Sequence, residues 1–321
     1  MKRVLKNSLI TLLLPIAVYS VFLIASFKRF GNVNTAYTIF LQSIIPTITA
    51  YAYAFIHISG LFDFTIGSRI IISGLIGGIA SAQYGLTGLI LGTLIASLAA
   101  ALLTGVLNWL CKIPSLILTM ALTMVFEIIG KKISGRFSFV TIDYQYAVLG
   151  TAPQIIFVLI VSAGLFYCII NYTEFSFHMR AIGSDEVVAK NAGIKVQKIK
   201  IGSFLIGSIF VAIAAVLTIS QSGSIGAQTN LGSASLLFKP LMGIIIAMVL
   251  RPFCNLTFGI FISQLMLNTI FVGLIALGLP DTFQNIVLGG FLLIIMVGSN
   301  SLEWIKEKRV RQKKIAPEIA G

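Results

Sequence analysis

The amino-acid sequence predicts an all-α integral membrane protein with about ten transmembrane helices. The first observation is the composition, because 57% of the 321 residues are apolar and only 10% are charged, far from the balance of soluble domains. The second is that the apolar residues form runs close to the roughly 20 residues needed to cross a bilayer. The third is that no stretch alternates with the roughly ten-residue rhythm of a transmembrane β-barrel.

Ten apolar runs are predicted to be the spans of a single transmembrane domain that covers residues 1–321. They are, in chain order, residues 8–27, 37–58, 69–83, 86–111, 115–130, 153–172, 201–220, 238–250, 254–277 and 282–300. The first run could also belong to a secretory signal peptide. It is long for one, however, and Lys28 and Arg29 follow it without a small-residue cleavage site, so we expect a retained span.

The basic residues indicate which ends of the spans face the cytoplasm. They cluster at residues 2–6, 180–200 and 306–314, and the positive-inside rule predicts that these clusters, and so both termini, are cytoplasmic. The net charge of +13 does not predict nucleic-acid binding, because the cations do not line one helix face among aromatic residues. The basic tail, residues 303–321, is instead expected to contact anionic lipid. The three cysteines lack metal-ligand spacing, so no metal site is expected.

Two of the predicted spans, residues 69–83 and 238–250, are short for a full crossing. Each follows a stretch rich in Gly, Ser and Thr, which is typical of broken helices that line a transport path. A weak internal repeat pairs them, since Leu-Thr-Gly from residue 86 is similar to Leu-Thr-Phe-Gly from residue 256, and the two copies would run in opposite directions. The sequence therefore predicts a weak inverted repeat. The polar stretch 220–235 is expected to face the outside as a surface loop or a gate.

Five polar residues within or beside the spans are candidates for the path of a solute. They are Asp63, Thr65, Ser68, Asn108 and Glu127. Ionisable groups are costly in hydrocarbon, so Asp63 and Glu127 in particular suggest a function. Structural alternatives remain open: Asp63 would cap a helix start, Asn108 would bond between spans, and Glu127 would pair with Lys131 one helical turn away.

The largest charge-rich stretch, residues 173–200, lies in the predicted cytoplasm. Residues 185–192 contain good helix formers, Ser184 is a candidate N-cap, and Gly193 is a candidate terminating residue. A short capped helix on this face is predicted to dock another protein. The alternative is a loop whose charges only fix the topology.

This stretch reads AIGSDEVVAKNAGI at residues 181–194. It closely resembles the cytoplasmic coupling loop of permeases in the ribose-type branch of ATP-binding cassette importers. Residues 59–68, SGLFDFTIGS, look like the family's Gly-Gly-Ile-Asp-Leu-Ser-Val-Gly-Ser element. The likeness weakens at residues 246–259, where Arg251 and Pro252 stand in place of small residues.

The resemblance implies that the loop transmits work from ATPase subunits, which bind ATP and Mg²⁺. The coupling residues would be Gly183, Asp185, Glu186, Ala189 and Gly193. It also implies a second permease copy or paralogue, an extracytoplasmic solute-binding protein, the bacterial cytoplasmic membrane, and a sugar or sugar-like solute. The chain itself would have no cofactor and no catalytic residue. In agreement, the sequence contains no phosphate-binding G-x-x-x-x-G-K-[ST] loop.

Other functions remain open. An ion-coupled secondary carrier of a small polar solute would need an intramembrane relay, for which Asp63 and Glu127 are candidates. A related permease for nucleosides or branched-chain amino acids would share the coupling loop. A membrane-embedded enzyme would need His, Asp or Glu clustered at a span end, which the sequence lacks. The few charges favour a neutral polyhydroxylated solute.

Overall fold

The computed structural model describes residues 2–280 and, beyond them, residues 283–284, 286–287 and 289–290. Within this part the chain is almost wholly helical. The helices are α1 (Lys2–Ala25), α2 (Phe27–Phe30), α3 (Val33–Ile58), α4 (Ile66–Cys111), α5 (Ser115–Ile133), α6 (Tyr144–Ala147), α7 (Gln154–Tyr172), α8 (Glu174–Ser184), α9 (Glu186–Asn191), α10 (Val196–Ser222), α11 (Ser235–Leu250) and α12 (Leu256–Ala276). Two short strands, β1 (Phe139–Thr141) and β2 (Ser224–Gly226), pair antiparallel.

Six helices in the described part are long and apolar enough to cross a membrane: α3, α4, α7, α10, α11 with the turn before it, and α12. The prediction of an all-α integral membrane protein is confirmed. Helix α1 has a shorter apolar stretch, Thr11–Ala25, and α5 contains three charged residues. The last predicted span, residues 282–300, lies mostly outside the described residues. The number of about ten spans therefore stays a prediction.

Helix α4 is 46 residues long, about twice one bilayer crossing, and it contains two of the predicted spans. Gly85 divides it into two limbs with φ 62° and ψ −145°, a conformation that residues with a side chain rarely adopt. A Cβ on Gly77 would lie 2.3 Å from Cγ2 of Thr93, and one on Gly88 would lie 2.3 Å from the carbonyl oxygen of Ala80. These glycines let the limbs pack as a tight hairpin.

Helix α10 packs most extensively against α4 and α3. A buried aromatic cluster joins it to α3 and α7, through Tyr51, Phe55, Phe166 and Phe210. The rings of Tyr51 and Phe166 are stacked with centroids 4.4 Å apart, and Phe166 and Phe210 meet edge to face at 6.1 Å. Such pairs stabilise by about 0.5–1.5 kcal/mol each beyond their burial. The cluster therefore fixes the relative positions of three helices.

The polar stretch after α10 is only partly a surface loop. Strand β2 pairs with β1 and covers apolar side chains of α4 and α10. The chain then turns inward, because the carbonyl oxygen of Ser233 approaches Gly67 so closely that a Cβ there would lie 2.0 Å away. The expectation of a surface loop is wrong for Ser233 and Ala234, which are buried among the helices, whereas the side of the membrane on which the stretch lies stays a prediction.

The chain divides into two compact units, Met1–Gly273 and Leu274–Gly321. The first contains α1 to α11 and most of α12. In the second, the described part begins with the last residues of α12. Gly278, at φ 87°, ends this helix, and the N–H of Leu279 donates to the carbonyl oxygen of Leu274 at 3.1 Å.

Candidate functional site

The chain is not helical at residues 59–65, between the end of α3 and the start of α4. This segment is the helix break, and Asp63 lies in it. One carboxylate oxygen of Asp63 accepts from the backbone N–H of Thr65 at 2.8 Å and from its hydroxyl at 2.6 Å. The other oxygen forms an ion pair with the guanidinium of Arg69. All three residues are fully buried. The carboxylate therefore holds the turn just before α4 and is neutralised inside the protein. The expected side-chain cap is not formed, because the N-cap residue of α4 is Thr65 and no side chain accepts from the first amides of the helix.

Arg69 is a residue that the sequence reasoning missed. It follows Asp63 by six residues and is the first residue of a predicted span. A cation at the start of an apolar run is costly in the membrane, so this position could have indicated a buried ion pair. Its Nε and one terminal nitrogen have no hydrogen-bond partner among the described residues. Arg69 therefore depends on Asp63, because loss of the carboxylate would leave a buried, unpaired cation.

Helix α5 holds the same break from another side. The hydroxyl of Ser115 accepts from the N–H of Phe62, and the hydroxyl of Thr119 accepts from the N–H of Phe64, both at 3.0 Å. Non-helical backbone among spanning helices needs such partners, since lipid offers none. The break is therefore a bonded junction of α3, α4 and α5.

Glu127 holds the inward-turning segment before α11. Its carboxylate accepts from the backbone N–H groups of Leu231 and Ser233, each at 2.9 Å, and from the Ser233 hydroxyl at 2.6 Å. Lys131 is exposed and forms no ion pair with Glu127 within the described structure. The expected pairing is wrong, because the buried N–H groups of this turn need acceptors and take both carboxylate oxygens.

The five candidate path residues do not converge on one site. Asp63, Thr65 and Ser68 lie together, and the Ser68 hydroxyl donates to the carbonyl oxygen of Thr65 at 2.9 Å. Glu127 lies in an adjoining cluster, because its partner Ser233 packs against Gly67, next to Ser68. Asn108 lies on the second limb of α4, and its amide nitrogen has no hydrogen-bond partner in the described part of the chain. Contact of these residues with solute stays a prediction.

A polar cavity of about 410 Å³ lies where α3, α4, α10, α11 and α12 meet. Its polar lining comes from Gln42, Thr49, Thr218, Gln221, Ser235, Lys239 and Asn268. The volume is within the range of roughly 300–1,000 Å³ that is usual for small-molecule sites. Sequence reasoning missed this cavity because its lining residues are scattered from α3 to α12. None of the five candidate path residues lines it.

The predicted coupling loop contains a short capped helix, although the cap differs from the expected one. Helix α9 begins after Asp185, whose carboxylate accepts from the N–H groups of Val187 and Val188 at 2.8 and 3.0 Å. Ser184, the expected N-cap, is instead the last residue of α8. Gly193 follows the C-terminus of α9 at φ 84°, the left-handed conformation that commonly ends a helix.

Two more of the predicted coupling residues hold α9 in place. Ala189 is 2% exposed and packs with buried residues of α8 and α10. Glu186 forms an ion pair with Lys200 of α10 at 2.7 Å. By contrast, Val187 and Val188 are 68% and 63% exposed. Helix α9 therefore exposes two apolar side chains among polar ones, while Ala189 and Glu186 fix it to the bundle.

Helix α8 touches the helix break directly. A Cβ on Gly183 would lie 1.9 Å from the carbonyl oxygen of Ile58, the last residue of α3. A Cβ on Gly60, in the break itself, would lie 3.5 Å from the Cα of Gly183. Only glycine permits the first approach. The predicted coupling loop is therefore in contact with the break that contains Asp63.

The segment in which the family resemblance weakens lies near α8. Arg251 and Pro252 are exposed in the turn between α11 and α12, and the amide of Asn255 donates to that of Asn171, at the end of α7, at 3.3 Å. Burial and the nearby Arg251 lower the pKa of Arg180 from its ordinary value. The segment therefore adds positive charge beside α8.

Comparison with known proteins identifies the family. Residues 35–296 match the family described as branched-chain amino acid transport system / permease component. The autoinducer 2 import system permease protein LsrC of Salmonella typhi is 24% identical, and the alignment covers 100% of this chain and 93% of the relative. The LsrC proteins of Yersinia enterocolitica and Escherichia coli are also 24% identical, over 90% and 98% of this chain and 81% and 94% of theirs. No solved structure matches.

The matched range contains the helix break, the predicted coupling loop and the polar cavity. The resemblance to permeases of ribose-type importers, which the loop and the break indicated, is confirmed. The chain therefore belongs to this permease family, in the monosaccharide branch of the ATP-binding cassette importers.

Proposed function

We propose that the chain is the transmembrane permease subunit of an importer that carries a sugar-like solute across the bacterial cytoplasmic membrane. Separate ATPase subunits would bind ATP and Mg²⁺ and drive it. The observation that carries the proposal is the contact between Gly183 and the end of α3, because it joins the family's coupling loop to a broken helix. The chain would do mechanical work and no bond chemistry.

In this proposal, closure of the ATPase dimer moves α8 and α9 as one body. The ion pair between Glu186 and Lys200 and the burial of Ala189 tie α9 to α10. Gly183 passes the displacement to Ile58 and so to the helix break. Because the break is bonded to α4 and α5, a shift there moves spanning helices rather than a loose loop.

The proposed orientation places both termini and the coupling loop in the cytoplasm, with ten spans in total. The Lys and Arg clusters favour it through the positive-inside rule. The order of elements supports it too, because α10 follows α9 and is followed by β2. If α10 spans the membrane, the coupling loop and β2 lie on opposite sides of it. The β1–β2 pair would then face the extracytoplasmic side, where a binding protein delivers the solute.

The solute class is proposed from the resemblance and from the relatives. Those relatives are permeases of autoinducer 2 import systems, and the ribose-type branch favours a sugar or sugar-like molecule. The proposed assembly also includes a second permease, identical or paralogous, and membrane lipid, but no nucleic acid.

A capture experiment tests this proposal. The tagged chain, extracted from its own membranes in mild detergent, is expected to bring an ATPase with a phosphate-binding loop, identified by mass spectrometry. Replacement of Val187 and Val188 by Asp is expected to lower the captured ATPase by about tenfold or more, because it places charges in an apolar contact.

The control is Tyr144→Asp, at a residue of α6 that is 91% exposed and is expected on the opposite side of the membrane. This variant should capture as much ATPase as the wild type. If the wild type captures no ATPase from membranes in which one is expressed, the proposal fails and an ion-coupled carrier is favoured.

A further inference from the structure

The polar cavity belongs neither to the helix break nor to the coupling loop. Two prolines inside helices, Pro46 of α3 and Pro240 of α11, lie in its wall. A proline leaves the carbonyl group four residues before it without its helical partner. At Pro46 that carbonyl belongs to Gln42, and the amide of Asn268 donates to it at 3.3 Å. The cavity is thus bounded by two continuous helices in which a proline removes a backbone hydrogen bond.

Lys239 is the cationic residue of this cavity. Its ammonium donates to Oδ1 of Asn268 at 3.1 Å and lies 4.6 Å from the centre of the Phe271 ring. No carboxylate within the described residues forms an ion pair with it. An ammonium group has three donors, so the bond to Asn268 leaves two for a further acceptor.

Arg69 provides the contrast. It also lies near the start of a short predicted span, but Asp63 neutralises it there. Lys239 has no such counter-ion in the described part of the chain. A cation in this position among spanning helices is stabilised by an anion.

The other polar groups of the cavity are neutral. The hydroxyls of Thr49, Thr218 and Ser235 donate to backbone carbonyl oxygens nearby in sequence, so their oxygens can still accept hydrogen bonds. The side-chain amides of Gln42 and Gln221 can both donate and accept. This combination suits a ligand that is rich in hydroxyl groups and carries one negative group.

We propose that the cavity binds the transported solute and that this solute is a sugar-like molecule with an oxyanion, a carboxylate or a phosphate, held by Lys239. The inference rests on the proposed transport function and deepens it. It replaces the expectation of a neutral polyhydroxylated solute, because that expectation did not take Lys239 into account.

Thermal unfolding of the captured permease–ATPase complex in detergent tests the assignment. The probes are glucose, glucuronate, glucose 6-phosphate and inorganic phosphate, at equal concentration and ionic strength. At least one of the two sugar anions is expected to raise the unfolding midpoint of the permease, whereas glucose and inorganic phosphate are not. The sugar anion that acts distinguishes a carboxylate from a phosphate.

Variants show whether Lys239 is responsible. Lys239→Gln is expected to abolish the midpoint shift, and Lys239→Arg is expected to retain it because the charge is kept. Lys132→Gln, at an exposed lysine of α5, is the control and should respond like the wild type. If Lys239→Gln does not fold, the comparison of glucose with glucuronate and glucose 6-phosphate on the wild type still decides the question.

Several results would overturn the assignment. They are a shift with glucose or inorganic phosphate as large as with the sugar anions, an equal shift in Lys239→Gln, or no shift with either sugar anion. None of them affects the proposed function while the wild-type chain still captures its ATPase. Loss of that capture would instead remove the proposed function, so the two failures are distinguishable.

Discussion

Two ion pairs of this chain differ in their surroundings. Asp63 and Arg69 are both fully buried, and the other two guanidinium nitrogens of Arg69 have no hydrogen-bond partner among the described residues. Glu186 and Lys200 meet at the protein surface, where the Glu186 side chain is 50% exposed. Burial removes hydration from both charges, so a buried cation without its carboxylate is far less stable than an exposed one.

Arg69→Met tests the buried ion pair, because it removes the guanidinium without introducing another charge. It is expected to lower the free energy of unfolding by about 3–5 kcal/mol, because it leaves Asp63 buried and unpaired. Unfolding of the purified chain in mixed detergent micelles measures the loss. Adding Asp63→Asn to Arg69→Met should recover part of it.

The surface pair is the matched control. Lys200→Met is expected to change the free energy of unfolding by at most about 1 kcal/mol, because water solvates the Glu186 carboxylate that remains. An equal loss in Arg69→Met and Lys200→Met would contradict the account of the buried pair.

At the scale of elements, the bounds of the helices were largely predictable from sequence. Apolar runs bounded by Gly, Pro and charged residues predicted nine segments that are helical in the structure, and α4 contains two of them because Gly85 kinks the helix. The partners of Glu127 were not predictable, because Leu231 and Ser233 lie more than 100 residues away. The polar cavity was not predicted either, because the residues that line it come from five helices and are far apart in sequence.

The contact of α8 with the end of α3 predicts the effect of Gly183→Ala. The added methyl group would lie 1.9 Å from the carbonyl oxygen of Ile58, so α8 must move away, and the free energy of unfolding is expected to fall by about 1–3 kcal/mol. In the captured complex, we expect the variant to lose the stimulation of ATP hydrolysis by the solute-loaded binding protein.

Gly164→Ala is the control for this prediction, because a Cβ at Gly164 of α7 would have nothing within 4 Å. It should leave the stimulation unchanged and raise helix stability by up to about 1 kcal/mol. If Gly183→Ala lowers stability but keeps the stimulation, the contact is packing only and does not couple the loop to the spans.

At the scale of the whole molecule, three features follow one another along the first unit of the chain. Val187 and Val188 of α9 are exposed, α8 contacts the helix break through Gly183, and the break is bonded to α4 and α5. Helix α4 also reaches the polar cavity through Ile70. A displacement of the coupling loop can therefore be transmitted through contacting residues to those that line the cavity.

The central claim is that ATP hydrolysis by a partner drives this chain. Its most direct test is uptake of radiolabelled solute, the one eluted from the co-purified binding protein, into proteoliposomes that contain the captured permease–ATPase complex. Ionophores collapse all Na⁺, K⁺ and H⁺ gradients, and the vesicles enclose either ATP with Mg²⁺ or ADP with Mg²⁺. The account predicts that uptake requires enclosed ATP and persists without ion gradients. Uptake that proceeds without ATP and stops when the gradients collapse would contradict it.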